Sequence, residues 1–308
     1  MDRTDFFRVS VIIPVYNVAH FVEEAVVSAL HQPEVGEVIL IEDGSSDNSL
    51  EVCKILSLKF ERVRLLTHPQ GKNRGVCHSR NLGIRNAQFD FVAFLDADDW
   101  YLPNRFVKEK EIFENPEAMA VYSLSAIQHS DGNLEYFGYR EDISKKTKTS
   151  DVKSAYDYIM RNDVVLGHTN ANTFRKIVFN EVGFFDSRLK LHQDTELWNR
   201  VARKYLFWAG ELKRPVSVAR RHNSNRITSK SVKSQLQLLF VKIDNVGLDN
   251  LYPSEKDSFV YLYSRAISNP IRWNLLRKVI FHISLRLLGI FQGFFIPRFY
   301  QSFQNKNS

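Results

Sequence analysis

The chain has 308 residues, 44% of them hydrophobic and 25% charged, enough for one large or two ordinary domains and too apolar for a disordered or collagen-like protein. Its formal charge is +7, from 42 basic and 35 acidic residues. No acid follows Asp257, whereas Arg265, Arg272, Arg277, Lys278, Arg286, Arg298 and Lys306 do, so the preceding body is electrically balanced. A balanced body excludes a uniformly basic nucleic-acid groove, and the excess belongs to a tail also rich in Phe, Leu and Ile.

The elements begin with a repeating alternation. Val9–Tyr16, Glu37–Ile41, Val63–Thr67 and Phe91–Leu95 are short β-branched and aromatic runs of the kind buried in a parallel sheet. Between them lie helical patterns: Phe21, Ala25, Val26, Ala29 and Leu30, then Leu50, Val52, Cys53, Leu56 and Phe60, then Val76–Ala87. Alternating strands and helices predict a doubly wound α/β unit. A hairpin is expected around Asp131-Gly132, a polar loop over 141–150, and helices near Val152–Met160 and over Gln193–Lys204. Short strands follow at Leu206–Ala209 and Val216–Ala219, and the polar stretch Asn223–Ser231 marks a boundary.

Two cysteines, Cys53 and Cys77, have neither the spacing of a zinc knuckle nor the number of a disulfide framework, which fits a reducing, cytoplasmic setting. Residues 1–8 are charged and run straight into a strand, unlike a signal peptide.

In sheets of this type ligands bind beyond the carboxyl ends of the strands. Three of those ends are polar: Pro14-Val15-Tyr16-Asn17, Glu42-Asp43-Gly44-Ser45 and Asp96-Ala97-Asp98-Asp99. Paired hard oxygen ligands after an apolar strand can hold Mg²⁺ or Mn²⁺ against a diphosphate, although the same acids could cap the next helix, expected to start at Trp100. Asp43 could accept a hydrogen bond from the N–H of a pyrimidine. The basic loop His68–Gly75 does not match GxxxxGK[ST], and GxGxxG is absent, so P-loop and dinucleotide sites are excluded. Asp194 opens a helix, where it could be a cap or a general base.

Taken in order, VSVIIPVYN (9–17), IEDGSSDNS (41–49), SRNLGI (79–84), FLDADDW (94–100), VGFFD (182–186), QDTELWNRV (193–201) and RRHNSNRIT (220–228) resemble the motifs of the family 2 glycosyltransferases. The resemblance implies the GT-A fold, a Rossmann-like, mostly parallel sheet flanked by helices, and inverting transfer from a nucleotide-sugar, most simply a UDP-sugar. It implies that Pro14, Tyr16 and Asn17 line the nucleoside pocket, that Asp43 pairs with the base, that Asp96 contacts the ribose and that Arg80 sits beside the nucleotide. Asp98 would bind the divalent cation, Mn²⁺ or Mg²⁺, with His222 completing metal or diphosphate binding, and Asp194 would be the catalytic base. The family commonly has Glu-Asp where this chain has Gln193-Asp194, which removes one charge near the acceptor and is the one feature favouring an inactive nucleotide-sugar-binding subunit instead.

The expected organisation is a GT-A domain over residues 1–229 and a basic, aromatic-rich helical extension over 230–308. Between Leu275 and Phe295 polar positions recur at helical spacing beside a broad apolar face, with Arg286 near the middle. That pattern fits an interfacial helix on an anionic membrane better than a spanning one, and so a peripheral enzyme acting on a glycan or lipid-linked acceptor, without nucleic acid.

Overall fold

The computed structural model describes residues 6–147, 151–162, 164–221, 232–268 and 296. Strands β1 (Val9–Val15), β2 (Val35–Glu42), β3 (Val63–Thr67) and β4 (Phe91–Phe94) alternate with helices α1 (Val22–Leu30), α2 (Ser49–Lys59) and α3 (Val76–Asn86), as the periodicity predicts. β1 and β2 are buried on both faces, which is why they read as unbroken apolar runs.

Beyond β4 come β5 (Trp100–Tyr101), α4 (Val107–Ile112), β6 (Ala120–Tyr122), β7 (Ser125–Gln128), β8 (Leu134–Phe137), α5 (Ile143–Thr147) and α6 (Val152–Arg161). They are followed by β9 (Asn172–Arg175), α7 (Ile177–Val182), α8 (Gln193–Lys204), β10 (Phe207–Ala209) and β11 (Ser217–Arg220). Helices α9 (Val232–Val246) and α10 (Pro253–Ser268) complete the described elements.

The main sheet has the order β10-β6-β9-β4-β1-β2-β3 and is parallel except for β9, which runs antiparallel to both β4 and β6. A second sheet, β5-β11-β7-β8, lies beside it. The chain therefore leaves β1 toward β2 on one side and returns to β4 on the other. This strand-order switch opens a crevice beyond the carboxyl ends of β1 and β4, where an α/β sheet binds ligands.

Three local expectations are corrected. Trp100 begins a strand paired with β11, not a helix, because the Tyr101 hydroxyl is drawn inward to donate to the Phe94 carbonyl (2.7 Å); the helix waits until Val107. The polar stretch 141–150 contains α5, started where Asp142 accepts the Ser144 N–H (3.0 Å) and Ile143 is buried. The second strand starts at Val35, two residues before the apolar run.

Helices α9 and α10 have a small core of their own, including Leu239, Phe240, Ile243, Leu251 and Phe259, and are bonded to the body. Glu255 accepts hydrogen bonds from Tyr156 of α6 and Arg203 of α8, both at 2.5 Å, and lies 3.4 Å from the buried Lys242 ammonium. Among the described residues no helix is long and apolar enough to cross a membrane. The amphipathic stretch 275–295 lies outside the described residues.

Candidate active site

The floor of the crevice is built by side chains that satisfy main-chain amides. Asn17, just past β1, has φ 53° and its side-chain oxygen accepts the Ser46 N–H (2.7 Å), while its own N–H donates to Ser45 Oγ (3.0 Å). Asp47 and Ser49 receive the N–H groups of Ala19 (3.1 Å) and Val18 (2.9 Å). Buried Glu42 accepts from the amides of Gly44 (3.2 Å) and Ser45 (2.5 Å), so it holds the turn. Gly44 has φ 70°, and a Cβ there would lie 2.6 Å from the Gly71 carbonyl oxygen, so this turn needs glycine. Tyr16 is exposed at the strand end and Pro14 half-buried below it.

Asp43 is buried and its two oxygens accept the amides of Arg74 (2.6 Å) and Gly75 (2.9 Å), docking the His68–Gly75 loop beside the crevice at the start of α3. His68 lies 3.5 Å from the same carboxylate and 2.9 Å from Ser79 Oγ. Burial holds its imidazole below the ordinary range although Asp43 pulls the other way. Each carboxylate oxygen of Asp43 retains a further lone pair for a ligand N–H.

At the end of β4, Asp96 accepts a hydrogen bond from Arg80 Nη2 (2.7 Å), and the Arg80 guanidinium lies over the Phe185 ring at 5.3 Å. Burial works to raise the Asp96 carboxyl, but Arg80 and His168 together hold it below the usual range. Ligand atoms of Asp96, Asp99 and His168 all lie within 4.8 Å of one another. Asp99 accepts from the Arg220 amide (2.7 Å) and from Asn170 Nδ2 (2.6 Å). Burial, with Asp96 and Asp98 adding like charge, nevertheless pushes its carboxyl well above the ordinary value. Asp98 is half-buried beside this group, and the structure gathers Asp99 and His168, not Asp98, onto Asp96.

Two carboxylates with ligand atoms within 4.8 Å of each other offer the oxygen donors that a hard divalent cation of the Mg²⁺ or Mn²⁺ kind takes. His168 fits less simply. Its Nδ1 accepts the Asn170 N–H (3.4 Å), so that nitrogen is already engaged. Neither Asn170 nor His168 is signalled by a sequence motif; both arrive from the turn before β9. His222 lies outside the described residues.

Asp194 stands in the first turn of α8, half-buried, accepting the Thr195 N–H (2.7 Å). It is near enough to Cys77 in α3 to join burial in raising that thiol to about 11. The segment before it is braced. Gln193 Nε2 donates to the Lys190 carbonyl (2.7 Å), and His192, left-handed at φ 63°, lies 3.2 Å from Ser234 Oγ of α9. Fully buried Glu196 pairs with Arg200, whose Nη2 also donates to the Phe184 carbonyl (2.7 Å), tying VGFFD to α8.

A strand-order switch with a buried acid on one side and a carboxylate cluster on the other belongs to an α/β protein of the GT-A kind. The model of the family described as glycosyl transferase family 2 matches residues 10–179, more than half of the chain, and the chain belongs to that family. It is 28% identical over 200 residues to glycosyltransferase GlyG of Streptococcus pneumoniae serotype 4, covering 60% of this chain and 64% of that protein. It is 32% identical over 126 residues to an uncharacterized glycosyltransferase of Haemophilus influenzae, covering 41% of this chain and 50% of that one. Chondroitin synthase of Pasteurella multocida is 32% identical over 154 residues, 49% of this chain and 16% of that protein. The chain thus spans half to two thirds of the first two relatives and a small part of the third.

Among solved structures, S. aureus TarS 1-349 in complex with UDP-GlcNAc superposes with TM-score 0.58 at 16% identity, covering 85% of this chain and 73% of that one. Mannosyltransferase PcManGT from Pyrobaculum calidifontis, in complex with GDP-Man and Mn²⁺, gives 0.52 at 15% identity, covering 92% and 87%. At such identities the likeness establishes the fold.

Proposed function

We propose that the protein is an inverting glycosyltransferase that moves a hexosyl or N-acetylhexosaminyl group from a nucleotide-sugar, a UDP-sugar first, to a hydroxyl of a glycan or lipid-linked acceptor in surface polysaccharide synthesis. The observation that carries this reading is the meeting, at one strand-order switch, of Tyr16, Asn17 and Asp43 on one side and the Arg80–Asp96 pair with Asp99 and His168 on the other. In this reading Pro14, Tyr16 and Asn17 flank the nucleoside, Asp43 accepts the base N–H and Asp96 faces the ribose. Asp96, Asp98 and Asp99 supply the oxygen donors for the cation, with His222 as the family's further ligand. A bound Mn²⁺ or Mg²⁺ would neutralise the diphosphate and the charge on the departing nucleoside diphosphate.

Asp194 takes the acceptor proton. A hydroxyl does not ionise near neutrality, so a carboxylate with a pKa of about 4 can remove its proton only as the new C–O bond forms. One in-line displacement with a single base inverts the anomeric carbon. The acid-free end of the chain after Asp257 would hold the body at an anionic membrane from the cytoplasmic side, where a lipid-linked acceptor lies.

A panel of UDP-, GDP- and dTDP-sugars with Mn²⁺, read by thermal shift and nucleotide release, tests this reading. A UDP-sugar is expected to raise the melting temperature and release UDP. Neither stabilisation nor release with any member would overturn it.

A further inference from the structure

Asn170 sits in the single 3₁₀ turn Thr169–Ala171 that leads into β9, and it is fully buried. Its side-chain oxygen accepts the Asp96 N–H (3.0 Å) and its side-chain nitrogen donates to Asp99 Oδ2 (2.6 Å). Its main-chain N–H donates to His168 Nδ1 (3.4 Å). One residue therefore bonds to all three members of the Asp96, Asp99 and His168 cluster.

The arrangement is specific to an amide. It must accept at one end and donate at the other; Asp would lose the donor and Ala both groups. Through these bonds the turn after β4 and the Asp99 carboxylate are set against the same rigid group, while the Arg220 amide fixes the second Asp99 oxygen at 2.7 Å. Asn170 is itself held from behind. Arg105, fully buried, donates Nε to the Asn170 carbonyl (3.1 Å) and Nη2 to Thr173 Oγ1 (3.2 Å), and its charge is met by buried Glu109 at 2.5 Å.

We propose that Asn170 is the positioning residue of the cation and diphosphate site: it holds the Asp96 turn and the Asp99 carboxylate at the spacing a divalent cation needs and keeps the His168 ring beside them. This rests on the glycosyltransferase reading above. Arg105 and Glu109 act one step further out, by keeping the Asn170 backbone in place.

The test uses the full chain as wild type, Asn170→Ala and Asn170→Ser, with Mn²⁺ affinity read by electron paramagnetic resonance in the absence of nucleotide. UDP affinity in EDTA and the thermal melt are measured beside it. Loss of a group that orients metal ligands costs about 10- to 100-fold in metal affinity, and that loss is expected for Asn170→Ala. Asn170→Ser, whose hydroxyl can keep one of the two bonds, is expected to lose less, and UDP affinity in EDTA should fall by less than Mn²⁺ affinity, because Asp43 and the end of β1 are untouched. A purely structural asparagine would lower the melt and leave Mn²⁺ affinity of the folded protein unchanged, which would overturn the proposal. If Asn170→Ala does not melt cooperatively, the same criterion is applied to Asn170→Ser. Failure of the wild-type chain to bind Mn²⁺ overturns the metal reading and this inference together, whereas wild-type binding with unaltered variants overturns this inference alone.

Discussion

The two walls of the crevice are built by different physics. On the wall at the ends of β1 and β2, short polar side chains from the motifs themselves accept main-chain amides: Asn17 from Ser46, Glu42 from Gly44 and Ser45, Asp43 from Arg74 and Gly75. Around Asp194, side chains pair with one another: Glu196 with Arg200 one turn on and with Asn245 of α9, and Arg188 with nearby Asp186 and with Asp244 of α9. The first wall is held by side-chain acceptors that clamp the main chain of neighbouring loops, whereas the second is held by side-chain ion pairs and amides that join α8, α9 and the 182–189 segment. Damage to the first should therefore appear in donor and metal binding, and damage to the second in turnover and stability.

The largest expected effect separates the walls most directly. Asp194→Asn keeps the size and the Thr195 contact but cannot take a proton, and a general base is worth about 10²- to 10⁴-fold. Transfer should fall by that factor while UDP affinity measured by calorimetry is preserved. Near wild-type turnover on the true acceptor would remove Asp194 from the role of base.

Arg200→Leu tests the bracing. It strips Glu196, which is fully buried, of its cation and releases the Phe184 carbonyl, and breaking a buried pair from one side costs about 3–5 kcal/mol. Chemical denaturation should show that loss. If stability fell by less than the cost of an exposed pair, about 1 kcal/mol, the base wall would not depend on this network.

Asp98→Asn and Asp99→Asn, compared side by side, sharpen the metal assignment on the other wall. The motif resemblance gives Asp98 the ion, whereas the geometry gathers Asp99 onto Asp96. The variant that removes a ligand should lose at least about tenfold in Mn²⁺ affinity, and the other should lose less. Equal affinity in both variants would mean that neither carboxylate holds the ion alone.

What could be read in advance follows burial of the strands and not the division between the walls. β1, β2 and β4 are legible because burial on both faces forces apolar runs, and Tyr16, Asp43 and Asp96 follow directly from the ends of those strands. β9 is not legible: Asn-Thr-Phe-Arg has no apolar run, and Arg175 is accommodated because Nε donates to the Ala118 carbonyl (2.9 Å) and Nη2 to that of Phe113 (2.8 Å). His168 and Asn170 arrive on that same illegible segment, so two groups of the carboxylate cluster have no signal in the sequence. Trp100 misleads for a related reason, since its pairing partner β11 lies more than a hundred residues away.

The smallest effect tests the departure from the family at Gln193. Its side-chain amide donates to the Lys190 carbonyl at 2.7 Å, helping to hold the turn that delivers Asp194 to the first turn of α8. A glutamate cannot donate there and would set a carboxylate against a carbonyl oxygen, so Gln193→Glu should cost about 1 kcal/mol of stability. In turnover the loss should be less than about tenfold, because a contact of that strength corresponds to no more than that in rate. The Lys190 contact thus favours glutamine at this turn, even though glutamate is the choice the family resemblance implies. A Gln193→Glu variant that melted as high as wild type and turned over faster would show that the contact does not hold the base, and that the missing charge had been limiting the reaction.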